Sequence, residues 1–313
     1  MLTNKRIFVL NPPVNTALFL MGPTASGKTD LAIEISKKIK SRLISVDSAL
    51  IYQGMDIGTA KPDTNTLDAY PHQLIDICKP SESYSAQDFI NDATHQINLA
   101  FENHELPILV GGTSFYFKAL ENGLSDLPES TNKSREKFNQ LLKNKGSKSL
   151  HQDLEKIDPI AAERIHPNDS QRITRALEVF DISGQTLTEL QGKKQGGVNC
   201  IIKKIILMPD RATLHQRIET RFNLMMKQGF VEEVKTLKKD KNLHEGLPSI
   251  RCVGYRQAWQ FLNNEIDEAE MIERSIIATR QLCKRQSTWL RDETTGLLLK
   301  TADVEKSLKF IQE

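Results

Sequence analysis

Cysteine and tryptophan are scarce in this chain of 313 residues, at 4 and 2. Cys78, Cys200, Cys252 and Cys283 lie scattered, with no CxxC pair and no metal-ligand spacing. They read as structural thiols in a reducing compartment, not as a disulfide or metal framework. Long hydrophobic runs are also missing. No stretch approaches the roughly 18 apolar residues of a membrane span, and the apolar run after Arg6 reaches only Leu10 before Asn11-Pro12-Pro13, too short for a signal-peptide core. The expectation is a cytoplasmic protein with no membrane segment. There is no internal repeat and no low-complexity tract, so the chain gives no basis for a repeat array.

Hydrophobic residues make up 39% and charged residues 26%, which excludes collagen-like or wholly disordered chains. The length is about twice that of a typical domain and suggests one large core or a core plus a second module. Such a chain can bury a sizeable core without disulfides. The net charge of +2 hides a local excess. Between Met271 and Arg291, Arg274, Arg280, Lys284, Arg285 and Arg291 stand against the single acid Glu273. That excess fits either a polyanionic partner on one surface or a solvated helix face.

The first part of the chain alternates short apolar runs with helical patterns. Ala17 to Met21, Leu43 to Val46 and Leu106 to Val110 are strand candidates, and Leu31, Ile35 and Ile39 mark a helix after the first. This alternation predicts βαβ units and a parallel sheet, with ligands at the carboxyl ends of the strands. From about Leu127 to Leu190 the texture becomes helical, with stripes at Leu150, Leu154 and Ile157 and at Ile173, Leu177 and Phe180. Asn168-Asp169-Ser170 is a plausible cap for the second stripe. A strand returns at Ile201 to Met208, and helices are expected over Leu214 to Leu237 and Met271 to Leu290. The organisation expected is a core of residues 1–124 and 191–313, interrupted by a helical insertion of residues 125–190.

Gly22-Pro23-Thr24-Ala25-Ser26-Gly27-Lys28-Thr29 fits G-x-x-x-x-G-K-[ST] between a predicted strand and a predicted helix. The glycines let successive backbone N–H groups converge on phosphate oxygens, and the helix N-terminus adds its positive dipole end. Lys28 neutralises phosphate charge, and the Thr29 hydroxyl can hold Mg2+. The fold class expected is therefore α/β: a P-loop nucleoside-triphosphatase-like parallel sheet with helices on both faces and an all-helical insertion. A P-loop hydrolase usually ends a later strand with a metal-supporting acid. Here the Ile108-Leu109-Val110 strand ends in Gly111-Gly112-Thr113, which favours transfer to a bound acceptor. Asp47 ends the second strand, where its carboxylate would face that acceptor; a turn or N-cap role is the alternative.

Taken together, four stretches resemble the tRNA dimethylallyltransferases, also called isopentenyl-tRNA transferases. They are Gly22 to Thr29; Asp47-Ser48-Ala49-Leu50-Ile51-Tyr52 continuing to Gly58-Thr59-Ala60-Lys61-Pro62; Gly111-Gly112-Thr113 with Tyr116; and Arg251-Cys252-Val253-Gly254-Tyr255-Arg256 with Lys284-Arg285-Gln286-Ser287-Thr288-Trp289-Leu290-Arg291. The likeness runs from about Ala17 to Arg291. It implies transfer of a dimethylallyl group from dimethylallyl diphosphate to N6 of the adenine next to the anticodon of a tRNA, with release of diphosphate.

In that likeness the phosphate loop and Mg2+ on Thr29 hold the diphosphate, and Asp47 is the general base. Thr113 orients Asp47 or the base, and Arg221 stabilises the leaving diphosphate. The resemblance implies tRNA contacts at Asp47 to Leu50, Thr113, Arg135, Gln171-Arg172-Ile173-Thr174-Arg175, Arg251 to Arg256 and Lys284 to Arg291. On a helix, Arg280, Lys284 and Arg291 share one side, where they could follow a phosphate backbone. Trp289 is either a base-stacking ring or core. Phe115, Tyr116 and Phe117 lie beside the site, with at least two expected in the core. His72 reads as structural. The adenine must leave its stack to react, so a channel open to base and donor is expected. No protein partner is evident, and a monomer is expected.

Two other classes remain open on the residues alone. A small-molecule kinase shares the phosphate loop but leaves the Lys284–Arg291 block unexplained. A non-catalytic RNA-binding module would keep tRNA affinity and form no product. Steep loss of acceptor affinity with salt separates the RNA readings from the kinase.

Overall fold

The computed structural model describes residues 10, 11, 13–192 and 194–313, and the side chains of residues 132, 194 and 195 lie outside that description. The chain divides into two compact units, Met1–Glu121 with Asn199–Glu313, and Asn122–Val198.

The first unit begins with β1 (Thr16–Met21), α1 (Lys28–Ser36), β2 (Ser41–Val46), α2 (Thr64–Ala69), β3 (His72–Gln73), α3 (Ala86–Glu102), β4 (Leu106–Gly111) and α4 (Ser114–Asn122). The second unit holds β5 (Leu124–Ser125), α5 (Asn132–Ile157), α6 (Pro159–Arg164), α7 (Ser170–Ser183), α8 (Leu187–Leu190) and β6 (Lys194–Gln195). The chain then returns through β7 (Ile201–Leu207), α9 (Arg211–Lys227), α10 (Phe230–Leu237), α11 (Tyr255–Leu262), α12 (Glu268–Arg291), β8 (Leu297–Leu299) and α13 (Val304–Gln312).

The first unit is built on a six-stranded sheet of order β3-β2-β4-β1-β7-β8, parallel at every pairing. The central strands are buried on both faces, which explains why β1 and β4 read as continuous apolar runs without alternation. Leu18, Leu20, Ile35, Leu43, Ile108 and Ile205 belong to one packed cluster. A second cluster gathers Tyr52, Met55, Phe222, Phe230, Ile250, Tyr255 and Trp259.

Two expected helices are shorter than their apolar spacing implied. α1 stops at Ser36, and Ile39, fully buried, reaches the core from an isolated bridge to Leu10. The stretch Leu214 to Leu237 is two helices, because Gly229 at φ 94 turns the chain into a left-handed conformation between α9 and α10.

In the second unit α5 consists of two helices meeting at Gly146 (φ 77, ψ 163), and its core holds Leu150, Leu154, Ile173, Leu177 and Val179. Asp169 caps α7 by accepting from Arg172 N. Glu178, buried, accepts from Ser130, Ser134 and Arg175 and ties α7 to the N-terminus of α5. No helix among the described residues is long and apolar enough to cross a membrane.

Candidate active site

The sheet order places β2, β4, β1 and β7 side by side, so the carboxyl ends of β1, β2 and β4 converge. The β1–α1 turn is the phosphate loop. Gly27 sits at φ 90, and Ala25 also adopts a positive φ of 65. At the end of β4 there is no room for a side chain: a Cβ on Gly111 would lie 2.0 Å from Val46 O. Close approach of β2 to β4 thus excludes a carboxylate at position 111.

A cleft of about 470 Å³ opens in the first unit over these strand ends. Thr24 and Lys28 of the phosphate loop, Asp47 to Ala49 after β2, and Gly112 to Phe115 after β4 line it. α9 contributes Arg221, Phe222 and Met225, and α12 contributes Arg285, Gln286 and Trp289. Arg251 to Val253 and Tyr255 complete it.

Two cations dominate one part of the cleft. Burial pushes the Lys28 ammonium down to about 8, against the opposing pull of the Asp47 carboxylate. Burial likewise lowers Arg221, again opposed by Asp47. Lys28 Nζ donates to Pro23 O at 3.3 Å, and Arg221 Nη2 donates to Thr24 Oγ1 at 2.6 Å. Two partly desolvated cations, one of them at the start of α1, give this part of the cleft a chemistry suited to a polyanion.

Asp47 forms an Asx turn in which Ala49 N donates to Oδ1 at 2.9 Å. No hydrogen bond among the described residues engages Oδ2. Thr113 Oγ1 accepts from Ser48 N at 3.1 Å, and Thr113 N donates to Val46 O at 3.2 Å. The threonine therefore fixes the turn that carries Asp47. The carboxylate's charge is felt by its neighbours: burial first, then Asp47, pushes both the Tyr116 phenol and the Cys252 thiol up to about 12.

Gln286, expected at the tRNA, lines the cleft and also bridges two loops. Its Oε1 accepts from Thr24 N and its Nε2 donates to Gly112 O, each at 2.9 Å. Both ends of the amide are used in joining the phosphate loop to the end of β4. The Lys284–Arg291 block is divided by its helix. Arg285, Gln286 and Trp289 line the cleft, while Lys284, Ser287 and Arg291 line a separate cavity with Arg211, His215 and Arg280.

Three residues expected at the RNA surface have side chains in the core: Ile173 and Tyr255 at 0% exposure and Leu290 at 3%. They are apolar anchors of the segments that carry their polar neighbours. Arg175 is taken up within the second unit, donating to Glu178, Ser130 and Pro128 O. Arg135, Gln171 and Arg172 are exposed there, and Thr174 Oγ1 bonds back to Ser170 O. In the first unit Arg251 and Arg256 are exposed, with Gly254 buried at the start of α11. Leu50 and Thr288 lie outside the cleft lining, as do Gly22, Pro23, Ala25, Ser26, Gly27 and Thr29.

Of the three aromatics beside the site, Tyr116 and Phe117 are buried and Phe115 is 57% exposed in the cleft. Trp289 lines the cleft with Lys118 Nζ 5.5 Å from its ring centre. His72 is partly buried, with Nδ1 2.8 Å from Tyr70 O.

The sequence reading missed Arg217, which donates to Ser26 O at 3.1 Å and Ala25 O at 3.4 Å and braces the outside of the phosphate loop. Its position one turn before Arg221 on the same helix face was the available signal. The apolar lining residues Ile218, Phe222 and Met225 carried no signal distinct from core.

A sequence profile described as IPP transferase matches residues 50–293. A tRNA dimethylallyltransferase of Ruthia magnifica is 68% identical over 296 residues, spanning 95% of this chain and 97% of its own. One from Vesicomyosocius okutanii is 67% identical with the same coverage. Among solved structures, the tRNA isopentenylpyrophosphate transferase of Bacillus halodurans superposes with a TM-score of 0.67 at 33% identity, covering 95% of each chain.

Proposed function

The chain belongs to the IPP transferase family of tRNA dimethylallyltransferases, and from that premise we propose how its own residues carry the transfer. The donor is dimethylallyl diphosphate and the acceptor is N6 of the adenine next to the anticodon. The observation that carries this reading is the meeting, in one cleft, of a half-buried cation pair with an acid. Lys28 and Arg221 form the pair and Asp47 the acid, with one carboxylate oxygen tied and the other without a hydrogen bond among the described residues.

The reaction joins adenine N6 to C1 of the dimethylallyl group and breaks the bond from C1 to the diphosphate oxygen. Diphosphate leaves with the bonding pair, and the proton on N6 passes to Asp47. The adenine amine is a weak nucleophile because its lone pair is delocalised into the ring, so proton removal as the bond forms is worth about 10²–10⁴-fold. Asp47 Oδ2 is the atom available for that proton, with Oδ1 held by Ala49 N. Thr113 acts on Asp47 through the turn, by holding Ser48 N. Lys28, Arg221 and the loop amides take up charge that develops on the leaving diphosphate.

The donor set suits Mg2+ brought in with the diphosphate. Among the described residues there is no group of three or more His, Cys, Asp or Glu able to cage a metal. Thr29 at the start of α1 offers the hydroxyl typical of a P-loop, with phosphate oxygens and water as the remaining ligands. Mg2+ bound there would share the negative charge of the diphosphate.

The tRNA would engage the exposed Arg251 and Arg285 at the cleft, with Trp289 offering a stacking face beside them. Arg135, Gln171 and Arg172 offer further phosphate or base contacts from the second unit. A kinase is less well supported, since it leaves the exposed Arg251 and Arg285 at the cleft without a role.

The test is transfer of label from dimethylallyl diphosphate to an anticodon stem-loop with Mg2+ and without ATP. Label on the adenine next to the anticodon is expected. Phosphoryl transfer from ATP with no prenyl label would replace this reading by the kinase.

A further inference from the structure

The part of the cleft formed by Gly58, Thr59 and Tyr255 is held by a carboxylate that lies behind it. Glu233, on α10, accepts Asp56 N at 2.9 Å and Ile57 N at 2.7 Å on Oε2. Its Oε1 accepts Gly58 N at 3.2 Å and the Tyr255 hydroxyl at 2.6 Å. Three consecutive backbone N–H groups converging on one anion make the concavity that elsewhere binds phosphate. Here a side chain of the same protein fills it.

The loop is fixed on its other flank as well. Lys61, its side chain only 4% exposed, donates to Tyr52 O and pairs with Asp56 and Asp76. Gly58 is packed so closely that a Cβ there would lie 2.3 Å from Phe230 and 2.6 Å from Tyr255. The Phe230 and Tyr255 rings meet edge-on at 5.3 Å. Loop, α10 and the start of α11 therefore move together or not at all.

The cationic part of the cleft has separate supports. Gln286 and Arg217 hold the phosphate loop, and Arg221 bonds Thr24. Among the described residues, no hydrogen bond links that set to Glu233 or to the residues it holds.

We propose that Glu233 is a positioning residue for the acceptor, fixing the wall formed by Gly58, Thr59 and Tyr255 and leaving diphosphate binding to the phosphate loop. The inference rests on the transfer reaction proposed above. A carboxylate suits the role because it is an acceptor only and can take four donors at once. A glutamine turns one of its two atoms into a donor facing donors. Burial, reinforced by the charge of Glu233, pushes the Tyr255 phenol far above its ordinary range, so its hydroxyl stays protonated and donating.

The test compares Glu233→Gln and Tyr255→Phe with the unsubstituted protein in three measurements. These are KM and kcat for the stem-loop at saturating donor, direct stem-loop binding, and inorganic diphosphate binding by calorimetry. Losing one charge-assisted bond predicts about a 10- to 150-fold rise in stem-loop KM with diphosphate affinity within about twofold. A merely structural defect would lower the active fraction and leave KM unchanged. Unchanged stem-loop KM in both variants, or diphosphate affinity falling in parallel, overturns the proposal. Tyr255→Phe keeps the ring in the core and decides the matter if Glu233→Gln does not fold. Absence of transfer by the unsubstituted protein would count against the proposed reaction alone, and the direct binding comparison would still read the role of Glu233.

Discussion

Adding a single methyl group to Gly112 should disable the donor side of the cleft. A Cβ at that position would lie 2.5 Å from Gln286 Nε2 and 3.2 Å from Gly22 O. To regain ordinary contact the amide must retreat by about 1 Å, which takes bonds of 2.9 Å beyond hydrogen-bond range. Both bonds then fail together, the one to Thr24 N and the one to Gly112 O. At about 0.5–1.5 kcal/mol each, the loss is about 1–3 kcal/mol. That energy holds the phosphate loop in its binding geometry, so it should appear in kcat/KM for dimethylallyl diphosphate as about a 5- to 150-fold drop. The assay varies donor at saturating stem-loop for Gly112→Ala, Gln286→Ala and the double variant. Because both substitutions break the same bridge, the double variant should be no worse than the worse single one. Additive losses would refute the bridge as the cause, as would a Gly112→Ala enzyme with normal donor kinetics.

Three further outcomes follow from the same geometry. Lys28 has its folded pKa lowered from 10.5 to about 8, so inorganic diphosphate affinity should fall as pH rises through about 8. Between pH 8 and 10.5 the unfolded chain holds more protons than the folded one, so stability of the free protein should rise over the same window. Calorimetric binding and thermal melts of the unsubstituted protein and Lys28→Met check both signs, and an unaltered profile in the variant contradicts the assignment. Stem-loop affinity should fall steeply with salt, and replacing exposed Arg251 and Arg285 by Ala should reduce the log–log slope by about 0.7–0.9 for each phosphate that is no longer neutralised. Gly58→Ala should overpack against Phe230 and Tyr255 and cost about 1–3 kcal/mol, read as a lower melting temperature.

Much of the fold was legible because local signals agreed with tertiary need. β1 and β4 are apolar throughout because both faces are covered, and the phosphate loop follows β1 at the point where a parallel sheet opens. The absence of an acid after β4 was legible too, and Gly111 packed on Val46 O supplies the steric reason at position 111. Helix ends were less legible. Ile39 continues the spacing of α1 although it is buried from a bridge, and Gly229 interrupts a run whose apolar pattern is unbroken.

Side chains grouped along one segment were hard to sort, because a motif names positions and not directions. Arg285 and Lys284 are neighbours in sequence yet line different cavities. Gln286, Ile173 and Leu290 read as contact residues; the first lines the cleft and also bridges two loops, and the other two lie in cores. Arg217 and Glu233 bond backbone groups 175 to 191 residues away in the chain, a relation that no local pattern encodes.

The central claim is that Asp47 takes the proton from the adenine amine. Its most direct test is single-turnover transfer from labelled dimethylallyl diphosphate to the stem-loop by Asp47→Asn, with both substrates bound beforehand. The substitution keeps the turn, since the amide oxygen can still accept Ala49 N, and removes the base. The account predicts a rate lower by about 10²–10⁴-fold, with stem-loop and diphosphate affinities within about twofold of the unsubstituted enzyme. A single-turnover rate close to that of the unsubstituted enzyme would contradict it.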